Sequence, residues 1–363
     1  MSEAPRVRLI EAEIFERPVD FRFPFRFGAA RVERAPQAFV RVRIVDEVGR
    51  SAAGWAAEMM MPKWFDKSPT LSPDDNVGQL RRSLRLAIQG LKSLPLNTAF
   101  GLHAAAEADH HRIAAKEGLP ALVASYGLAL VDRAITDALC RLEATSAAAA
   151  VRNDLLGITD ATAPDLAGFD LPGFLSRLEP SPRLAIRHTI GLADALTAAD
   201  VEPAQRLEDG LPQTLEEVIA AYGHRYFKIK VSGRPEQDVE RLLAVTAVLD
   251  RAVGDYRATL DGNEQLESAD VAVDFSIACA ERAASCETPS LASLLRTADS
   301  AGRGAVPIRR RCQRTDTVGN RRVRRRCRSL SARPRTRLCG HFVEVLQGLL
   351  SVAAQSRPGR EVE

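Results

Sequence analysis

The chain has 363 residues, 45% of them apolar, and a formal net charge of +3; these values suit a globular protein of two domains and exclude a chain too polar to build a core. The charge is unevenly placed, with sixteen arginines against four acids in residues 301–363, but 34 basic against 43 acidic residues in 1–300. No N-terminal apolar run reads as a signal peptide and no segment reaches the roughly 18 apolar residues of a membrane helix, so the expectation is a cytoplasmic protein with no membrane partner.

Residues 7–46 read as strands. VRLIEAEIFERPVDF alternates, FRFPFRFG is expected to turn, and AFVRVRIVDEVGR alternates again before Gly49, a pattern expected of a three-stranded antiparallel meander. Trp55 and Trp64 then bracket three methionines. This cluster is either core packing or a mobile loop over a pocket, since methionine adapts to varied ligands. Residues 75–143 read as helices; in the last of them Leu122, Leu128, Val131, Ile135 and Leu139 fall near one face.

From about residue 183 the period changes. RLAIRHTIGLAD is a short strand, TLEEVIAAYG a helix with Gly223 as its C-cap, and YFKIKVSG a strand. RPEQDVERLLAVTAVLDRAVG follows as a helix and YRATLDGNEQ as a strand. Alternating strands and helices predict a parallel sheet.

Lys228 and Lys230, two apart on a strand, share a face. They are either the solvated face of an edge strand or groups aimed into a barrel. The next strand ends in Asp261, Gly262 and Asn263, and active sites of β/α barrels sit at the C-terminal strand ends. Two successive strands thus aim two amines and a carboxylate at one place. A carboxylate with further oxygen ligands binds Mg2+, and a lysine beside a dication and a second lysine can serve as a base.

These motifs resemble the enolase superfamily, in its mandelate racemase/muconate-lactonizing branch, over about residues 7–275. FKIKV resembles the family's Lys-x-Lys on the second barrel strand, and LDGNEQ its third strand. The resemblance implies an α+β capping domain followed by a (β/α) TIM-type barrel. It implies Mg2+-assisted abstraction of the proton α to a carboxylate, by an isomerase or lyase acting on a small carboxylate substrate. Asp261 would be the first metal ligand, Lys230 a base and Lys228 its support. Asn263, Trp55, Trp64 and His188 are weaker candidates for contacting substrate. His188 and Thr189, at the end of the first barrel strand, either line the pocket or are a polar strand end.

The family pattern then stops. It calls for two more carboxylate ligands and a second acid/base group, and Glu287 is the one nearby candidate for a fourth-strand ligand. Between Arg303 and Arg337 stand fourteen arginines and one acid, Asp316. A nucleic-acid arm through Arg309–Arg311 and Arg321–Arg328 is the alternative reading. Against it, the last lysine is Lys230, and residues 301–363 hold no Trp or Tyr for stacking bases.

A reading-frame shift accounts for the tail. Taking the last two bases of each codon with the first of the next, Glu344–Val345 and Gln347–Gly348 can each encode only Lys or Arg. In that frame Leu294–Asp299 can read FFEQPI, Thr315–Cys327 PILSAIDESDGDV, and Pro334–Leu350 LALGYAGTSSKSCKGFY. These resemble the family's fourth, fifth and sixth strands, with a Glu, an Asp and a Lys spaced 25 and 23 codons apart. The shift falls between about 275 and 293. The expected organisation is a capping domain over 1–145, the first part of a barrel over 180–275, and an out-of-frame, disordered tail over 276–363. Such a chain has an incomplete barrel with a largely irregular C-terminal region. It is expected to be inactive and poorly soluble, with Mg2+ binding and homo-oligomers left to relatives with a complete barrel.

Overall fold

A computed structural model describes residues 3–27, 30–262, 275 and 278. The chain divides into two compact units, one built on residues 3–24 and 32–181, the other containing 182–262.

Strands β1 (Val7–Phe27), β2 (Ala30–Asp46) and β3 (Ser51–Met59) lie in that order across one sheet, all in the first unit except residues 25–27, 30 and 31, which group with the second. β2 and β3 are antiparallel, with Val42 opposite Gly54. The ion pairs Glu13–Arg41 and Glu11–Arg43 join β1 to β2, one number rising by two as the other falls by two, as antiparallel pairing requires. The segment FRFPFRF, expected to turn, continues β1 instead. Its phenylalanines keep the period of two, and Pro24 is tolerated because β1 lies at the sheet edge. The third strand also lies later than expected, at 51–59, so Trp55 stands on a strand and not on a loop.

Three helices follow: α1 (Pro73–Lys92), α2 (Ala99–Lys116) and α3 (Ala121–Leu142). α1 begins where the sequence Ser-Pro-Asp-Asp supplies a cap. Ser72 Oγ accepts from Asp75 N at 3.1 Å, the Asp75 carboxylate accepts from Ser72 N at 2.8 Å, and Pro73 occupies the first turn. α3 packs on β3, and α1 and α2 pack on α3. That central position is why α3 is buried nearly all round. Leu128, Leu130, Val131, Ile135 and Leu139 are each 2% exposed or less, and burial of each such side chain is worth about 1.5–3 kcal/mol. Short helices α4 (Ala147–Arg152) and α5 (Leu171–Ser176) close the unit, Phe174 and Leu175 joining its core.

The second unit alternates β4 (Arg187–Ile190), α6 (Leu215–Tyr222), β5 (Tyr226–Lys230), α7 (Pro235–Ala252) and β6 (Arg257–Asp261). The three strands form a parallel sheet in the order β4-β5-β6. β4 is shorter than the run RLAIRHTIGLAD suggested, and Leu184 and Ile186 stay exposed before it. α6 starts on a capping box between Thr214 and Glu217 and ends at Gly223, whose φ of 63° is the left-handed C-cap its sequence foretold. Ile190, Phe227, Ile229 and Ala258 form one core with Val239, Leu242, Val245 and Leu249 of α7. These strand residues all lie on one face of the sheet, because register partners in a parallel pair point the same way.

Candidate active site

The opposite face of that sheet carries the polar side chains. Along β5, Tyr226, Lys228 and Lys230 alternate with the core residues Phe227 and Ile229. Lys228 is in register with Thr189 of β4 and Thr259 of β6, and Lys230 with Asp261. The face therefore ends, at the C-terminal edge of two adjacent strands, in two amines and one carboxylate.

The three groups meet at one atom. Asp261 Oδ2 lies 2.7 Å from Lys228 Nζ and accepts a hydrogen bond from Lys230 Nζ at 2.8 Å. Lys230 is buried, at 7% exposure, whereas Lys228 and Asp261 are about a quarter exposed. Charge-assisted contacts of this length are the strong ones. Backbone fixes the arrangement as well: Val231 N–H donates to Asp261 O at 3.0 Å, carrying the pairing one residue past Lys230.

The chain leaving Lys230 is held by the start of α7. The buried Asp238 carboxylate accepts from Ser232 N at 2.8 Å, from Ser232 Oγ at 3.0 Å and from Arg234 N at 3.0 Å. The turn between strand end and helix is thereby tied to the first turn of α7, where an acid also meets the helix dipole favourably.

The other candidates are placed differently. His188 stands on the core face, in register with Phe227, where its ring stacks on His224 with centroids 5.3 Å apart and meets Phe227 edge-on. Burial, and then the neighbouring His224, push its pKa below the ordinary histidine value. Its neighbour Thr189 is the residue of that pair on the lysine face. Trp55 and Trp64 belong to the first unit, and both are exposed. Trp55 lies 5.8 Å from Phe15, centroid to centroid, with Arg41 over its ring. Of the methionines between them, Met60 is fully buried in the core and Met59 and Met61 are half-buried. Asn263 and Glu287, like the whole arginine-rich tail, lie outside the described residues.

Sequence reasoning passed over Thr259, Arg187 and Tyr226, which share the lysine face; Arg187 Nη1 donates to Thr259 Oγ1 at 3.3 Å. Counting back by twos from Lys230 and Asp261 would have found Tyr226 and Thr259. Arg187 needed the register of β4 against β5, which sequence does not print. Among the described residues no group of three or more His, Cys, Asp or Glu side chains gathers as a metal site, and no helix is long and apolar enough to cross a membrane.

No family model matches the chain, and no curated protein does. Solved structures similar to it include an isomerase from Streptomyces coelicolor A3(2), 18% identical, with a TM-score of 0.43 over 76% of this chain and 57% of that one. Another is an enolase from Bradyrhizobium complexed with magnesium and mandelic acid, 15% identical, with a TM-score of 0.45 over 76% and 59%. A third is a mandelate racemase/muconate lactonizing enzyme-like protein from Rubrobacter xylanophilus, 17% identical, with a TM-score of 0.40 over 76% and 58%. In each case the match spans less than three fifths of the solved chain's own length.

Proposed function

We propose that this chain holds the capping part and the first barrel strands of an enolase-superfamily enzyme of the mandelate racemase/muconate-lactonizing branch. The remaining strands are lost to a reading-frame shift between about residues 275 and 293. The observation that carries the reading is the meeting of Lys228, Lys230 and Asp261 at the C-terminal ends of two consecutive parallel strands. This is where β/α barrels place their chemistry. Two cations and an anion on the inner face of a parallel sheet are costly to bury, and a purely structural sheet would put apolar side chains there.

In an intact relative, a Mg2+ ion would stabilise the enediolate formed when a base removes the proton α to a carboxylate. Lys230 is the proposed base, Lys228 its support and Asp261 the first ligand of the ion. The residues present here do not fit the ion by themselves. Magnesium wants about six oxygen ligands, whereas Asp261 is the only carboxylate that the three described strands put on this face, and its Oδ2 is occupied by both amines. The chain as it stands is proposed to be inactive. The alternative of an arginine-rich nucleic-acid arm has nothing beyond its composition to favour it.

Two measurements test the reading. Sequencing the gene from about residue 275 to residue 350 should show that one removed base, or two added, between about 275 and 293 restores codons for FFEQPI, PILSAIDESDGDV and LALGYAGTSSKSCKGFY. A frame-corrected protein should bind Mg2+ by titration calorimetry, and the uncorrected chain should not exchange α-protons of carboxylates with deuterated water. Alternate-frame codons that do not spell these motifs refute the frame shift; Mg2+-dependent exchange by the uncorrected chain refutes its inactivity.

A further inference from the structure

We propose that a groove between β1 and α1 binds an extended acidic peptide from another polypeptide, laid alongside the edge of β1. Among the described residues the sheet order leaves β1 with a neighbouring strand on one side only. At its first residue that open edge already accepts backbone. Val7 N–H donates to Asn97 O at 2.7 Å and Asn97 N–H to Val7 O at 3.0 Å, an isolated antiparallel bridge. Beyond Val7 the edge continues beside two adjoining hollows of about 500 and 460 Å³. The first is floored by Ala12, Ile14 and Ile88 and rimmed by Arg85 and Lys92; the second shares Lys92 and adds Arg8 and Ile10. Ile10 is 39% exposed, a large apolar side chain left at the rim.

Charge selects the occupant. Arg8, Arg85 and Lys92 are exposed, have no ion-pair or hydrogen-bond partner among the described residues, and no acid lines either hollow. Of the carboxylates along β1, Glu11 and Glu13 pair with Arg43 and Arg41, and Glu16 is taken by Arg81 in two contacts of 2.7 and 2.6 Å, which together with Arg85 hold its pKa below the usual carboxylate range. An apolar floor under three exposed cations fits a ligand that alternates apolar and acidic groups. Shape narrows the class further. Arg8 to Ile14 spans seven residues of strand, about 23 Å at roughly 3.3 Å each, which suits a peptide of about seven residues better than a small carboxylate. Addition of a strand to an exposed edge, with pockets reading alternate side chains, is an established recognition mode. The arginine-rich residues 303–337 carry the wrong sign to be the occupant.

The test uses the full chain and a fluorescein-labelled peptide of seven residues alternating Glu and Val, with an alternating Lys and Val peptide as control. Expected are saturable binding of the acidic peptide, slowed amide hydrogen exchange within residues 8–14, and binding weakened roughly tenfold or more by Arg85→Glu combined with Lys92→Glu. Both substituted positions are exposed, so unchanged tryptophan fluorescence confirms that the double variant folds. The proposal is overturned if residues 8–14 show no protection, or if the double variant binds as the parent does, which marks capture by the arginine-rich tail. It is overturned equally if hexanoate protects as well as the peptide, or if the groove seats a second copy in a dimer that the double variant dissolves.

Discussion

Replacing Gly127 by alanine tests how closely α1 and α3 approach. A Cβ at Gly127 would stand 2.4 Å from the carbonyl carbon and oxygen of Ser83 and 2.5 Å from Leu84 N, where ordinary contact begins at 3.4 Å. The obstacle is backbone and cannot swing aside, so the helices must part by about 1 Å. A radial gap of about 0.5–1 Å forfeits a quarter to a half of each dispersion contact across an interface, and this one includes the fully buried Leu80, Leu84, Val131 and Ala124. Ser83 Oγ, which donates to Ala124 O at 2.8 Å and accepts from Gly127 N at 3.0 Å, would be strained at the same point. The expected loss is about 3 kcal/mol, the upper part of the range for overpacking. Gly90→Ala is the control: it lies in α1 with nothing within 4 Å of its Cβ position, and should stabilise by up to about 1 kcal/mol. Trp55 and Trp64 are the only tryptophans and both lie in this unit, so urea unfolding followed by their fluorescence reports on it alone. If Gly127→Ala proves as stable as Gly90→Ala, the close-approach argument is wrong.

Further substitutions probe the two buried polar groups and the site. Asp261→Asn should destabilise the second unit by about 2 kcal/mol, less than the roughly 3–5 of a fully buried pair because a quarter of Asp261 is exposed. Lys228 and Lys230 should then acylate several-fold faster, read by mass spectrometry. Asp238→Ala removes three hydrogen bonds at the start of α7 and should cost about 2 kcal/mol, with faster amide exchange at Ser232 and Arg234; unchanged exchange there would show that the turn holds itself. His103 carries the pH prediction. Burial lowers its pKa, but the Asp132 carboxylate 3.3 Å away, helped by Glu107, more than reverses this and leaves it above the ordinary value. A raised folded pKa gives stabilisation that is full below about pH 6.5 and fades as pH rises through the folded value. The stability gap between parent and His103→Gln should therefore shrink as pH rises above about 6.5. His110 and His111, both lowered first by burial and each also by the charge of His103, act in the opposite sense; His103→Gln relieves part of that lowering, so their contribution to the difference is smaller than His103's but does not vanish.

Much of the secondary structure was legible because its signals are local. The Ser72–Asp75 and Thr214–Glu217 boxes, Gly223 and the helical spacing of α3 and α7 each act within a turn or two of chain. The misplaced turn in FRFPFRF shows the limit. A proline reads as a break until the sheet order makes β1 an edge strand, where no ladder hydrogen bond is lost. For the candidate site, the period of two put Lys228 and Lys230 on one face. It could not say that this face was opposite His188, since that depends on the register of β4 against β5, set 39 residues apart.

What the sequence determined by itself was therefore the helices over 75–143, the alternation of strands and helices from about residue 183, the pairing of two lysines on one strand, and the charge that divides the first 300 residues from the rest. Tertiary structure alone decided that Asp261 meets both amines at a single oxygen, that His188 joins the aromatic core instead of them, and that Gly127 lies against the backbone of Ser83. The division has one physical cause. Caps, turns and periodicity are settled by interactions a few residues long, whereas strand register and helix contact are settled by packing between segments that sequence distance does not order.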